Sequence, residues 1–136
     1  METPERIKVL AVVVPRMQDE IRHQLISFGV IPSLVGNAME LAQHVRSGER
    51  YHVVLLPATF PIEDDWWSIW GELSTLQKRP ALLVYAHTAS FQLWSGVLEA
   101  GGYDVIVEPL TDQKLRDAIF RAAESYRSRS DEIEEE

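Results

Sequence analysis

Five times along this chain a short run of β-branched and apolar residues gives way to a segment whose apolar residues recur at helical spacing. Residues 7–14 (IKVLAVVV) read as a strand buried on both faces. Met17, Ile21, Leu25 and Phe28 then follow a helical period, and Gly29 closes that helix. Residues 31–35 (IPSLV) form a second strand, and Pro32 within it indicates an edge position. Asn37 caps a helix with stripe Ala38, Leu41, Ala42 and Val45, and Glu40 completes a capping-box pattern. The third strand is 52–56, a helix runs over about 64–77, and 81–86 (ALLVYA) is the fourth strand. The helix over 91–100 ends at Gly101-Gly102, and 103–107 (YDVIV) is the fifth strand. Thr111 caps a last helix with stripe Leu115, Ala118, Ile119 and Ala122. Such alternation implies a parallel sheet with helices on both faces.

The length, 136 residues, suits one compact domain, placed here at residues 1–126, with an acidic tail at 127–136 read as a solvated, frayed end. The net charge is −8, but five acids in the last six positions supply most of it, and the remainder carries −3. An acidic chain without a basic stripe is a poor nucleic-acid binder. There is no cysteine, which excludes disulfides, thiolate metal sites and cysteine nucleophiles. The longest purely apolar run, residues 9–14, is far short of a membrane span, and METPERIKVL does not read as a signal peptide, so a cytoplasmic location is expected. The four histidines are scattered without metal-ligand spacing, and no Walker loop, GxGxxG or GxSxG occurs. No enzyme, no metal and no cofactor is expected.

Three landmarks carry a resemblance: a strand leading into a Pro15-initiated helix stopped at Gly29, the segment VVLLPATFP, and LEAGGYDVIVEPL over 98–110. Their order and spacing, over about 7–125, closely resemble the receiver domains of response regulators, the CheY-like family. The resemblance implies a five-stranded (βα)5 flavodoxin-like sandwich of three layers, strand order 2-1-3-4-5. It also implies phosphoryl transfer to an aspartate, which needs an acidic pair after strand one to hold Mg²⁺, the acceptor aspartate ending strand three, a Ser/Thr after strand four, and a lysine before the proline that follows strand five.

Each of those positions departs from the pattern. The acidic pair falls on two valines among Val12, Val13 and Val14: counting along the strand gives Val13 and Val14, counting back from Gly29 gives Val12 and Val13. The acceptor falls on Pro57, the Ser/Thr on Tyr85 and the lysine on Glu108. Proline has no nucleophile, valine binds no Mg²⁺, and glutamate repels a phosphoryl group. The chain resembles a pseudo-receiver, and the Glu108–Pro109 bond is expected to be cis on that resemblance.

The expected role is therefore phosphorylation-independent protein–protein contact or dimerisation in bacterial two-component signalling. One alternative is a small-molecule sensor at the carboxyl edge of the sheet, around Pro57, Tyr85, His87 and Glu108. Another is phosphorylation at a displaced acid, Asp64 or Asp65, although both suit the start of a helix. Arg16 is a candidate ion-pair partner for Glu108. Trp66 and Trp70 share a helix face suited to the core, which leaves Trp67 as a contact candidate. In the fourth predicted helix, Trp94, Val97 and Leu98 are expected inward and Leu93 outward. A protein partner or a second copy is expected on the face made by the fourth helix, fifth strand and fifth helix.

Overall fold

Alternate residues of each strand point to opposite sides of the sheet, and both sides are covered. In the computed structural model, which describes residues 6–48, 50–58, 79–88 and 90–134, the strands are β1 (Lys8–Val12), β2 (Ile31–Val35), β3 (Val53–Pro57), β4 (Ala81–Ala86) and β5 (Asp104–Val107). All pair in parallel, in the order β2-β1-β3-β4-β5, as expected. Among the described residues the helices are α1 (Pro15–Ser27), α2 (Ala38–Arg46), α3 (Phe91–Glu99) and α4 (Asp112–Glu134). The helix expected over about 64–77 lies outside the described residues, with Asp64, Asp65, Trp66, Trp67 and Trp70. None of the described helices is long and apolar enough to cross a membrane.

One core layer joins Val9, Ala11, Val13, Val53, Leu55, Leu83 and Tyr85 to Ile21 and Leu25 of α1 and Leu115, Ile119 and Ala122 of α4. The other joins Leu10, Val12, Val54, Leu56, Leu82 and Val84 to Leu41 of α2 and Val97 of α3. The three inner strands are buried throughout apart from Lys8, which explains their unbroken apolar runs. Pro32 is tolerated because β2 is an edge strand.

Local polar groups fix the helix ends. Asn37 accepts the Glu40 N–H at 2.9 Å, and the Glu40 carboxylate accepts from Gly36 N–H rather than from Asn37 itself. Ser90 accepts the Leu93 N–H at 3.0 Å and caps the start of α3. After α3, Gly101 takes φ +90°, and a Cβ on Gly102 would stand 2.5 Å from Val97 Cγ1 and 2.8 Å from its carbonyl oxygen. Only glycine allows β5 to leave the helix that closely.

α4 runs on to Glu134, two turns past the buried Tyr126. The Glu, Arg and Ser residues there are compatible with helix, and a helix already nucleated on the core propagates at little cost. One expectation needs correction, the phase of α3. Leu93 packs against the core with Val97 and Ala100, at i, i+4 and i+7, whereas Trp94 and Leu98 are 46% and 39% exposed. The inward stripe is set by Val97, which is fully buried, and Leu93 lies one turn before it on the same face.

Candidate functional site at the carboxyl edge

The ends of β1, β3 and β4 meet in one row. Val53 pairs with Val9 and Ala81, and Leu55 with Ala11 and Leu83. Two residues further Pro57 pairs with Tyr85, and Val13, just past the end of β1, belongs to the same core layer as Tyr85. These side chains share the face covered by α1 and α4. Val12, Val13, Pro57 and Tyr85 are all buried. Pro57 is the last residue of β3, and the next amide, Ala58 N–H, donates to the Tyr85 carbonyl at 2.8 Å. A missing N–H at Pro57 therefore does not stop the chain from closing on β4.

Tyr85 dominates the row. Its hydroxyl donates a 2.8 Å hydrogen bond to the Val12 carbonyl, from β4 across β3 to β1. Burial, and secondarily the nearby Glu108 carboxylate, push its phenol above the ordinary value for tyrosine. The ring thus stays neutral and keeps its proton for Val12.

Beyond this row lies an open cleft of about 480 Å³, lined by Val14, Arg16, Met17, Pro57, Ala58, Tyr85, Ala86, His87, Thr88, Leu93 and Glu108. Its floor is apolar and its charged groups sit at the rim. Glu108, just past β5, is paired with His87 Nδ1 at 2.5 Å. This corrects the expectation of an Arg16–Glu108 pair: among the described residues Arg16 makes no ion pair, and His87, on the loop after the neighbouring strand, is the closer partner. The Glu108–Pro109 peptide bond is cis. Gln24 Nε2 donates to the Leu110 carbonyl at 2.9 Å and to Asp112 Oδ1 at 2.8 Å, which ties α1 to the turn that carries Glu108.

Of the residues singled out from sequence, Val14, Pro57, Tyr85, Leu93 and Glu108 line one cleft; Val12 and Val13 lie beneath it; Trp67 is outside the described residues. Leu93 contributes a wall of the cleft and not an outward contact. Met17, Ala58, Ala86 and Thr88 were not anticipated. Each lies within a few residues of a strand end, which is the available signal for them. Among the described residues no group of three or more His, Asp or Glu side chains is placed to hold a metal ion.

No protein-family model matches the chain, and comparison with curated proteins gives no relative. Solved structures do match. The signal receiver domain of an HD-domain protein from Pseudomonas fluorescens Pf-5 superposes with TM-score 0.82 at 16% identity, over 96% of each chain. A CheY-like receiver domain protein from Methanospirillum hungatei JF-1 gives 0.80 at 16%, over 92% of this chain and 99% of that one. The receiver domain of a sensor histidine kinase from Pseudomonas aeruginosa PAO1, which has a magnesium ion coordinated in its active-site cleft, gives 0.72 at 24%, over 88% and 98%. Strand order, coverage and superposition together place this chain in the receiver fold.

Proposed function

We propose that this chain is a receiver-like domain of two-component signalling that works without aspartyl phosphorylation, through protein–protein contact. The observation that carries this reading is the Tyr85–Val12 hydrogen bond over Pro57. The nucleophile position holds a proline, and a buried phenol fills the corner where an acidic pair would face it. The residues present do not fit Mg²⁺. Val12, Val13 and Pro57 offer no side-chain oxygen, whereas Mg²⁺ demands hard oxygen ligands in near-octahedral geometry. Glu108, in the place of a lysine, adds negative charge where a transferring phosphoryl group needs positive charge.

The contact surface we assign is the face of α3, β5 and α4. Phe91, Trp94 and Leu98 fall within one arc on the outside of α3, with Phe91 78% exposed. On α4, Phe120 is exposed beneath the Arg116 guanidinium, 5.8 Å from the ring centroid. Exposed Arg116, Asp117, Arg121 and Glu124 alternate in sign along α4, a pattern that can complement itself across a two-fold axis. A second copy of the chain is the partner assigned.

Intact mass after incubation with Mg²⁺ and a small-molecule phosphoryl donor tests the first part, with an ordinary receiver as positive control. No added phosphoryl group is expected. A gain abolished by substituting Asp64 or Asp65 would mean a displaced acceptor and would overturn the reading.

A further inference from the structure

We propose that the carboxyl-edge cleft binds a small zwitterion, with an apolar body carrying a carboxylate at one end and an ammonium at the other. This goes beyond the contact role above and does not depend on it. The cleft, about 480 Å³, lies within the range of small-molecule sites, roughly 300–1,000 Å³. Its floor of Val14, Pro57, Ala58 and Ala86 offers apolar surface to a hydrocarbon body.

The charge pattern at the rim selects the ends. Arg16 is permanently cationic and makes no ion pair among the described residues. Glu108 engages His87 through one oxygen, which leaves acceptor positions on its carboxylate. The Glu108 charge is felt at the floor of the cleft, where it adds to the effect of burial on Tyr85. A simple anion drawn to Arg16 meets Glu108. A simple cation drawn to Glu108 meets Arg16. A molecule with both charges satisfies each.

The sheet also sets the spacing. Arg16 follows β1 and Glu108 follows β5, three strand spacings apart in the order β1-β3-β4-β5, or about 14 Å at the backbone. Both residues line the cleft, and their long side chains can shorten the gap between the two charges. The charges of the ligand are then several ångströms apart, as in an ω-amino acid, rather than on one carbon as in an α-amino acid.

Calorimetric titration with 6-aminohexanoate, hexanoate and hexylamine tests this, since the three share a six-carbon chain and differ only in their ends. The zwitterion is expected to bind at least about tenfold more tightly than either singly charged analogue. R16Q is expected to remove its advantage over hexylamine, and E108Q its advantage over hexanoate, with thermal midpoints checked to show both variants folded. Equal affinity for the three compounds, no binding at millimolar ligand, or unchanged discrimination in both variants would overturn the proposal. Phosphoryl transfer to the protein would instead overturn the phosphorylation-independent reading and leave this measurement interpretable.

Discussion

The Tyr85 hydroxyl reaches from β4 over the end of β3 to the Val12 carbonyl of β1, at 2.8 Å. It is a cross-sheet tie that links the ends of strands two places apart. Tyr85→Phe retains the ring and removes the tie, leaving a buried carbonyl without this donor. The expected loss is about 1–2 kcal/mol, seen as a fall of roughly 3–8 °C in thermal midpoint. An unchanged midpoint would mean that the hydroxyl adds nothing to the fold.

The same phenol gives a pH dependence with a definite sign. Its proton is held more tightly in the folded chain than in the unfolded one, first by burial and then by Glu108. The associated stability is therefore fully present below about pH 10, where unfolded tyrosine titrates, and is lost as pH rises above it. Denaturant titrations between neutral and strongly alkaline pH should show a steeper loss for the wild type than for Tyr85→Phe. The other tyrosines are common to both proteins, so the difference in slope isolates Tyr85.

An aspartate placed at Pro57 should not by itself make the chain accept a phosphoryl group. Pro57→Asp places a carboxylate beside Tyr85 at a buried strand end, where the flanking Val12 and Val13 supply no metal-binding oxygen. The substitution is expected to cost about 2–4 kcal/mol and to give no mass gain with Mg²⁺ and a phosphoryl donor. A stable Pro57→Asp variant that gained a phosphoryl group would show that the flanking valines and Glu108 do not block the chemistry.

The sheet was legible because each strand is short, apolar and bounded by a helix signal that the structure uses: Gly29 after α1, Asn37 before α2, Thr111 before α4. The end of the third strand was legible to within one residue: it was expected at Leu56, and Pro57 is its last residue, where a terminal proline leaves the inner ladder intact. The orientation of Leu93 was not, because α3 has apolar residues on most of its circumference and its pattern fits two phases. What decides the phase is the insertion of Val97 under Gly102, a tertiary contact with no periodic signature. The Tyr85–Val12 tie depends on a register across three strands, and one strand's sequence contains no trace of it. The Glu108 partner was missed for a similar reason: His87 and Glu108 are brought together by the pairing of β4 with β5.

At the opposite edge of the sheet, His52 Nδ1 accepts the Lys8 backbone N–H at 3.0 Å, and its ring meets Tyr126 edge-on with centroids 5.3 Å apart. The acceptor role requires the proton on Nε2. His52→Leu keeps bulk and removes the acceptor, so a loss of about 1–3 kcal/mol is expected from denaturant titration. His52→Asn, whose amide oxygen can stand near the Nδ1 position, should recover part of that loss. Equal losses in the two variants would assign the effect to packing against Tyr126 instead.

The outer arc of α3 provides the test of association. Phe91 and Leu98 are exposed, so Phe91→Ser and Leu98→Ser together should change the stability of the monomer little, within about 0.5 kcal/mol for each site when compared at concentrations too low for association. If the α3, β5 and α4 face joins two copies, the wild-type chain will sediment as a dimer at high micromolar concentration and the double variant as a monomer. Apolar side chains at the centre of a contact outweigh the charged rim in holding it together, so added salt should change the wild-type equilibrium less than the two substitutions do. A wild-type chain that stays monomeric at that concentration would exclude the second copy as partner. A double variant that still dimerises would place the contact on another face.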